Sequence, residues 1–423
     1  MSIIEPSLEN VDNLISCRFC EAPLTQTFVN LGMSPLCQTQ IPPERLNHYE
    51  PYYPLHAYVC NQCFLVQIDE YVAPDQIFSD QYPYFSSYSD SWVEHARRYC
   101  EHMQVDHGIS DKSFVVELAS NDGYLLQHFA KAGVPVLGIE PTANTAAAAR
   151  EKGIDTEVAF FGVATAERLR ARNGGADLII GNNVLAHVPD IRDFVDGMKR
   201  LLADGGIITM EFPHLLNLID KNQFDTIYHE HFSYLSLIAV QKIFAHFELT
   251  IFDVAEIPTH GGSLRIYACH ENDQARPVRP RVDALIQREI DFGLASPAIY
   301  QAFAERVYGT KRDILSFLIK AKTAGKSIAG YGAPGKGNTL LNFCGIGTDF
   351  LDYTVDRSPH KYGTWTPGSR IPIYHPDHIN KTRPDYLFVL PWNLINEIRE
   401  QTGYIKAWGG KWVTPIPSLK VHD

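Results

Sequence analysis

A chain of 423 residues is long enough for two or three separately buried cores, since single domains run to about 100–200 residues. Its 45% hydrophobic and 20% charged residues are those of a globular chain and exclude a disordered one. A formal net charge of −12 argues against a nucleic-acid or membrane-surface footprint, while leaving room for a local basic patch that holds phosphate.

The N-terminal run MSIIEPSLENVDNLIS lacks the basic flank and long apolar core of a secretory signal, and no stretch reaches about 18 uninterrupted apolar residues. A cytoplasmic protein is expected, with no membrane or nucleic acid among its partners. Residues 1–80 are rich in Cys, Tyr and Pro with only short strand-like runs, which suits a small module that needs a staple beyond its own core. Cys17-Arg-Phe-Cys20 and Cys60-Asn-Gln-Cys63 supply one, because two Cys-x-x-Cys knuckles present four thiolates to one tetrahedral zinc ion. Four sulfur ligands leave no open coordination position, so this zinc is structural. A thioredoxin-like redox pair would need one knuckle in a βαβ setting. Cys37, Cys100, Cys269 and Cys344 have no such partners and read as small apolar residues.

From about Asp111 apolar runs of strand length alternate with helical stretches. Ser113–Ala119, Val136–Glu140, Asp177–Gly181 and Gly206–Glu211 are predicted strands, and the alternation implies an α/β fold with a doubly wound parallel sheet. After the first strand comes Glu117-Leu-Ala119-Ser120-Asn121-Asp-Gly123, a tight turn feeding a helix N-terminus, as a nucleotide site requires. Ala119 and Asn121 stand where a generic methyltransferase loop has glycines, so the loop gains weight only from Glu140. That residue ends the next strand, where a carboxylate accepts hydrogen bonds from both ribose hydroxyls; the alternative is an ordinary helix-capping acid. Gly181-Asn182-Asn-Val-Leu-Ala-His187 begins at the carboxyl edge of the sheet, making Asn182 and His187 site candidates.

A long helical stretch around Tyr300–Ala324 precedes strand signals at Ser327–Tyr331, Phe350–Val355 and Tyr386–Leu390, a second Rossmann-like unit. Its loop Gly330-Tyr331-Gly332-Ala333-Pro-Gly335-Lys336-Gly337-Asn338, with Asp356 at the end of the next strand, formally completes the NAD fingerprint. An NAD-dependent nucleotide-sugar oxidoreductase is therefore the main alternative to the reading below. A P-loop is disfavoured, because Gly337 occupies the place of the magnesium-binding Ser or Thr.

The run Asp225-Thr-Ile-Tyr228-His229-Glu230-His231 packs four proton-active side chains into consecutive positions. Two more segments are equally distinctive, Thr259-His-Gly-Gly-Ser-Leu-Arg265 and Gly330–Leu341. With the cysteine quartet and the Ser-Asn-Asp-Gly loop, the chain resembles the sugar C-methyltransferases that act on nucleotide-linked 4-keto-deoxysugars, typified by carbon-3 enzymes. The resemblance covers almost the whole chain. It implies a zinc-binding module (1–80), a Rossmann-like S-adenosylmethionine domain (81–258) and a second Rossmann-like domain (259–423) that holds the nucleotide of the sugar. It also implies His231 as the base, with Tyr228, Glu230 and His187 around the reacting carbonyl and Tyr82, in Gln81-Tyr-Pro-Tyr84, as a further active-site tyrosine. Glu117, Ala119, Ser120, Asn121, Gly123, Glu140 and Asn182 fall to the cofactor. Tyr331, Ala333, Lys336, Asn338, Asp356 and Lys361 fall to the sugar nucleotide, whose usual carrier in the family is thymidine diphosphate.

Residue chemistry supports this independently. A carbon beside a ketone becomes nucleophilic only when its proton leaves, which needs a base that titrates near neutrality and a donor for the enolate oxygen. His229 and His231, two apart, point oppositely on a strand and poorly together on a helix, which disfavours a metal pair there. A non-enzymatic zinc-ribbon protein would carry eroded polar clusters, and these are intact. A monomer is expected.

Overall fold

The computed structural model describes residues 15–78, 82 and 84–423, so most of the N-terminal run read above, and Gln81 and Pro83, lie outside the described residues. Near the N-terminus, β1 (Gln26–Ser34), β2 (Tyr53–Val59) and β3 (Val66–Ile68) form an antiparallel sheet. Its two knuckles are built alike. In each, the residue after the second cysteine, Glu21 or Phe64, takes a positive φ and donates its N–H back to the carbonyl of the first. Both turns thereby aim their thiols at one point.

The central sheet has β4 (Val115–Leu118), β5 (Val136–Glu140), β6 (Thr156–Val158), β7 (Ala176–Asn182) and β8 (Leu202–Pro213) in parallel. Beyond β8 the chain departs from a purely parallel sheet. β10 (Leu249–Ile257) and β11 (Ser263–His270) form an antiparallel hairpin whose second strand pairs with β8, giving the order β10-β11-β8-β7-β4-β5-β6. Strand β11 is buried on both faces, so the polar–apolar alternation that would have announced it is missing. Between them the two-residue β9 (Ser233–Tyr234) leaves this sheet and pairs with β3. The segment 224–236 is thus pinned between the zinc module and the central sheet.

The C-terminal sheet contains β12 (Ile328–Tyr331), β13 (Thr354–Val355), β14 (Ile373–Tyr374), β15 (Tyr386–Val389), β16 (Lys411–Thr414) and β17 (Lys420–His422). Its order β14-β13-β12-β15-β16-β17 is parallel except for β17, and the winding reverses between β12 and β15. The predicted strand Phe350–Val355 is cut to two residues because Phe350 and Leu351 fold back in a turn on the Gly347 carbonyl.

One buried cluster joins the zinc module to the long helix and the C-terminal sheet. The 27-residue helix Pro297–Thr323 lays Phe303 against Phe28 of β1, rings parallel at 4.5 Å, while its far end packs under the C-terminal sheet. The fully buried Glu289, on the helix Pro280–Phe292, takes a hydrogen bond from His214 at 2.6 Å and caps the helix Leu237–His246 through the Leu237 and Ile238 N–H groups. Among the described residues no helix is long and apolar enough to cross a membrane.

Candidate active site

A cavity of 680 Å³ opens between the carboxyl edge of the central sheet and the glycine loop of the C-terminal sheet. Parallel sheets place ligands at such an edge. On the central side Glu140 ends β5 and lines the cavity. Its Oε2 accepts the Asn121 N–H at 2.7 Å, and its Oε1 accepts the Thr142 N–H at 2.9 Å and the Thr142 hydroxyl at 2.5 Å. Burial raises its pKa while the Thr142 and Asn121 hydrogen bonds oppose the rise. A carboxylate has about four lone-pair positions, so acceptor capacity remains for a ligand. Asn182 ends β7 and also lines the cavity; its side-chain oxygen and nitrogen are both buried without a hydrogen-bond partner. Such atoms call for a polar ligand group.

Ala119, Asn121 and Asn183 all take positive φ, at 54°, 50° and 55°. Three non-glycine residues in the left-handed region around one site mark strain where a ligand is approached closely. Glu117 and Ser120 are buried beneath this loop and do not line the cavity, and burial drives the Glu117 carboxyl far above its usual range. Gly123 does not line it either: its φ of 73° is one that L side chains rarely adopt, and a Cβ there would meet Ile154 Cγ1 at 3.1 Å and Ala149 Cβ at 3.3 Å. Trp92, Phe160, Phe161 and Phe194 make an aromatic wall at this end that the sequence reading missed. Phe160 and Phe161 stand just after β6, Trp92 at the start of the helix before β4 and Phe194 on the helix after β7, and these positions were the available signal. An orphaned amide, a strand-end carboxylate and this aromatic wall fit S-adenosylmethionine.

Tyr82, His187, Tyr228, Glu230 and His231, all five of the predicted catalytic residues, also line the cavity. His231 and Tyr228 lie ring against ring at 4.1 Å, and His187 meets His231 edge-on at 4.6 Å. His231 Nδ1 is 3.0 Å from the Thr226 carbonyl oxygen, a contact it makes as donor. That fixes the tautomer with Nε2 as the ring's acceptor. His229 points the other way, its Nε2 donating to the Pro54 carbonyl at 3.1 Å, as the two-residue spacing implied. Burial lowers the His187 pKa to about 4, keeping that imidazole neutral, and raises the Glu230 carboxyl to about 7. The Tyr228 and Tyr82 phenols are likewise held protonated by burial. Tyr82 is seated by its own backbone, whose carbonyl accepts from Asn144 at 2.9 Å, while Asn121 holds Tyr84 and Ser86. Cys37, read from sequence as a plain apolar residue, approaches Glu230 Oε1 with its thiol at 3.8 Å.

On the C-terminal side Gly335, Lys336 and Asn393 line the cavity. The other predicted substrate residues do not. Asn338 donates to the Cys37 carbonyl at 2.6 Å, and Asp356 accepts from the Ala333 N–H at 2.8 Å, the Ser358 N–H at 2.9 Å and Lys361 at 3.3 Å. Asp356 therefore braces the glycine loop, which occupies the acceptor that the NAD fingerprint reserves for ribose. Tyr331 lines a separate cavity of 390 Å³ beside Arg357 and Tyr362.

The four cysteines of the quartet bring their sulfurs within 4.8 Å of one another, with Cys17–Cys63 at 3.5 Å and Cys20–Cys60 at 3.4 Å. A tetrahedral zinc with Zn–S bonds of about 2.3 Å needs sulfurs about 3.8 Å apart, so small shifts complete the site. Gln67 donates to Cys17 Sγ at 3.2 Å and the Gln62 N–H to Cys60 Sγ at 3.4 Å, the outer hydrogen bonds that steady thiolate ligands.

Residues 17–78 match a zinc binding domain, residues 92–254 a methyltransferase domain, and residues 258–417 the C-methyltransferase C-terminal domain. The C-methyltransferase NovU of Streptomyces niveus is 35% identical over 413 residues, 96% of each chain. Among solved structures, an S-adenosylmethionine-dependent methyltransferase from Clostridium acetobutylicum is 10% identical, covers 42% of this chain and 91% of its own, and has a TM-score of 0.34. Magnesium protoporphyrin IX methyltransferase from Synechocystis is 15% identical, with coverages of 42% and 82% and a TM-score of 0.33. Likenesses this partial add nothing to what the full-length relative carries. The chain belongs to the family of S-adenosylmethionine-dependent C-methyltransferases with an N-terminal zinc-binding domain.

Proposed function

We propose that the methyl group goes to the carbon beside the ketone, carbon 3, of a nucleotide-linked 4-keto-deoxysugar, through an enolate formed by His231. The carrying observation is that Tyr82, His187, Tyr228, Glu230 and His231 line the same cavity as Glu140 and Asn182 and as Gly335 and Lys336. When bound, S-adenosylmethionine supplies a methyl group already activated on a sulfonium. Glu140 would hold its ribose and Asn182 a neighbouring polar group. Lys336 and the backbone amides at the start of the helix Gly335–Cys344 would hold the diphosphate, thymidine diphosphate being the carrier we assign.

His231 takes the carbon-bound proton on Nε2 while its Nδ1–H stays on the Thr226 carbonyl. Tyr228, protonated and with its ring against His231, donates to the developing enolate oxygen. Neutral His187 supports that oxygen without adding charge. Glu230, poised near neutrality in the same cavity, is a second group able to take up a proton.

Incubation with S-adenosylmethionine and a thymidine-diphosphate 4-keto-deoxysugar tests the reading by mass spectrometry. A product heavier by one methylene and methylated on carbon supports it. Transfer only to oxygen, or none to this substrate class while other carbonyl compounds are methylated, overturns it.

A further inference from the structure

Asp225 opens the catalytic turn, is wholly buried, and has no role in the chemistry above. A buried carboxylate needs strong partners. Its Oδ2 accepts the Trp392 indole N–H at 2.7 Å, across from the central domain to the loop after β15. The Lys336 ammonium lies over the ring of the same Trp392, 4.4 Å from its centre, and donates to Asn393 Oδ1. One indole therefore has an anion on its N–H edge and a cation on its face. A carboxylate pulling on the N–H makes the ring more electron-rich, which strengthens its hold on a cation, and polarised chains of this kind reinforce one another in a dry interior.

We propose that Asp225 and Trp392 form a positioning relay that sets the charge and direction of Lys336 at the cavity, so that the turn carrying the catalytic residues also prepares the site for the anionic end of the substrate. Neither residue touches the reacting atoms. Charge bookkeeping agrees with the geometry: burial depresses the Lys336 pKa and the Asp225 charge raises it again, while burial lifts the Asp225 carboxyl to about 6 and Lys336 opposes that rise. The arrangement also explains a tryptophan in place of another aromatic, since only indole offers an N–H edge together with a cation-binding face. Because Asp225 stands three residues before Tyr228, a Lys336 held by this relay is in register with the catalytic cluster.

The inference rests on the reading of Lys336 as the ligand of the substrate's diphosphate, and its test separates the two. Thymidine diphosphate and S-adenosylhomocysteine are titrated calorimetrically into wild type, Lys336→Ala, Asp225→Asn, Trp392→Phe and the two double variants with Lys336→Ala. Asp225→Asn keeps an acceptor for the indole but removes the charge; Trp392→Phe keeps the aromatic face but removes the N–H. Each should weaken thymidine diphosphate about 3- to 10-fold and leave S-adenosylhomocysteine unchanged. In the Lys336→Ala background neither should weaken it further, because the relay acts only through that lysine. A merely structural bond would lower both affinities, or add its full effect in either background, and would overturn the relay. If Lys336→Ala itself leaves thymidine diphosphate binding intact, the diphosphate reading fails first. Should Asp225→Asn not fold, the Trp392→Phe pair carries the same comparison.

Discussion

His231 and Tyr228 are close enough for their roles to be separated by substitution. His231→Asn should slow methyl transfer about 100- to 10,000-fold if the imidazole is the principal base, whereas Tyr228→Phe should cost less because the enolate oxygen keeps other donors. Steady-state rates with saturating cofactor decide this. Glu140→Gln should weaken S-adenosylhomocysteine binding by about 1–3 kcal/mol, read by calorimetry, because in the proposed function the ribose hydroxyls would lose a charged acceptor. Glu230 makes a pH prediction. Its folded pKa of about 7 lies above the ordinary 4.5, so between those values the folded chain keeps a proton that the unfolded chain has released. The folded form is favoured least once Glu230 ionises: its relative stability is undiminished below pH about 4.5 and is lost as pH rises through about 7. Glu230→Gln removes that loss. Melting temperatures should therefore converge near pH 4.5 and separate in the variant's favour towards pH 8, and a constant gap would contradict the buried, proton-holding Glu230 described here.

At the scale of elements, the parts legible in the sequence were those with a strong local signature. The cysteine knuckles, the strand ends carrying Glu140 and Asn182, and the polar run Tyr228–His231 all announce themselves through spacing or residue type. What stayed hidden was decided by tertiary contact. Strand β11 shows no alternation because both of its faces are covered. Gly123, Asn338 and Asp356 have the residue types of ligand contacts, yet none of the three lines the cavity, and Asn338 and Asp356 hydrogen-bond to neighbouring loops instead. Cys37, Trp392 and Asn393 reach the site from distant segments, and nothing local to them tells of it. Strand β1 makes its own prediction. Phe28 and Phe303 are both fully buried and stacked, so Phe28→Ala should cost about 3–5 kcal/mol in urea unfolding and loosen the zinc module from the long helix.

Across the whole molecule, the zinc module is part of the enzyme's working structure. Strand β3 pairs with β9, two residues beyond His231, and Cys37 from the same module stands against Glu230. Elemental analysis should find one zinc per chain, and Cys20→Ser or chelation should lower zinc content, exposure protection of residues 17–68 in hydrogen exchange, and methyl transfer together. Zinc loss with full activity would separate the module from catalysis. Residues from both Rossmann-like sheets line one cavity together with the proton-active cluster, and in the proposed function one side takes the methyl donor and the other the anion. That division of labour predicts that proton removal does not await a methyl group. In heavy water, with a thymidine-diphosphate 4-keto-deoxysugar and S-adenosylhomocysteine in place of the methyl donor, the wild-type enzyme should exchange the proton beside the ketone for deuterium, followed by proton magnetic resonance, and His231→Asn should exchange it at least about 100-fold more slowly. Wild-type exchange no faster than the free substrate's, or unchanged exchange in His231→Asn, would contradict the account.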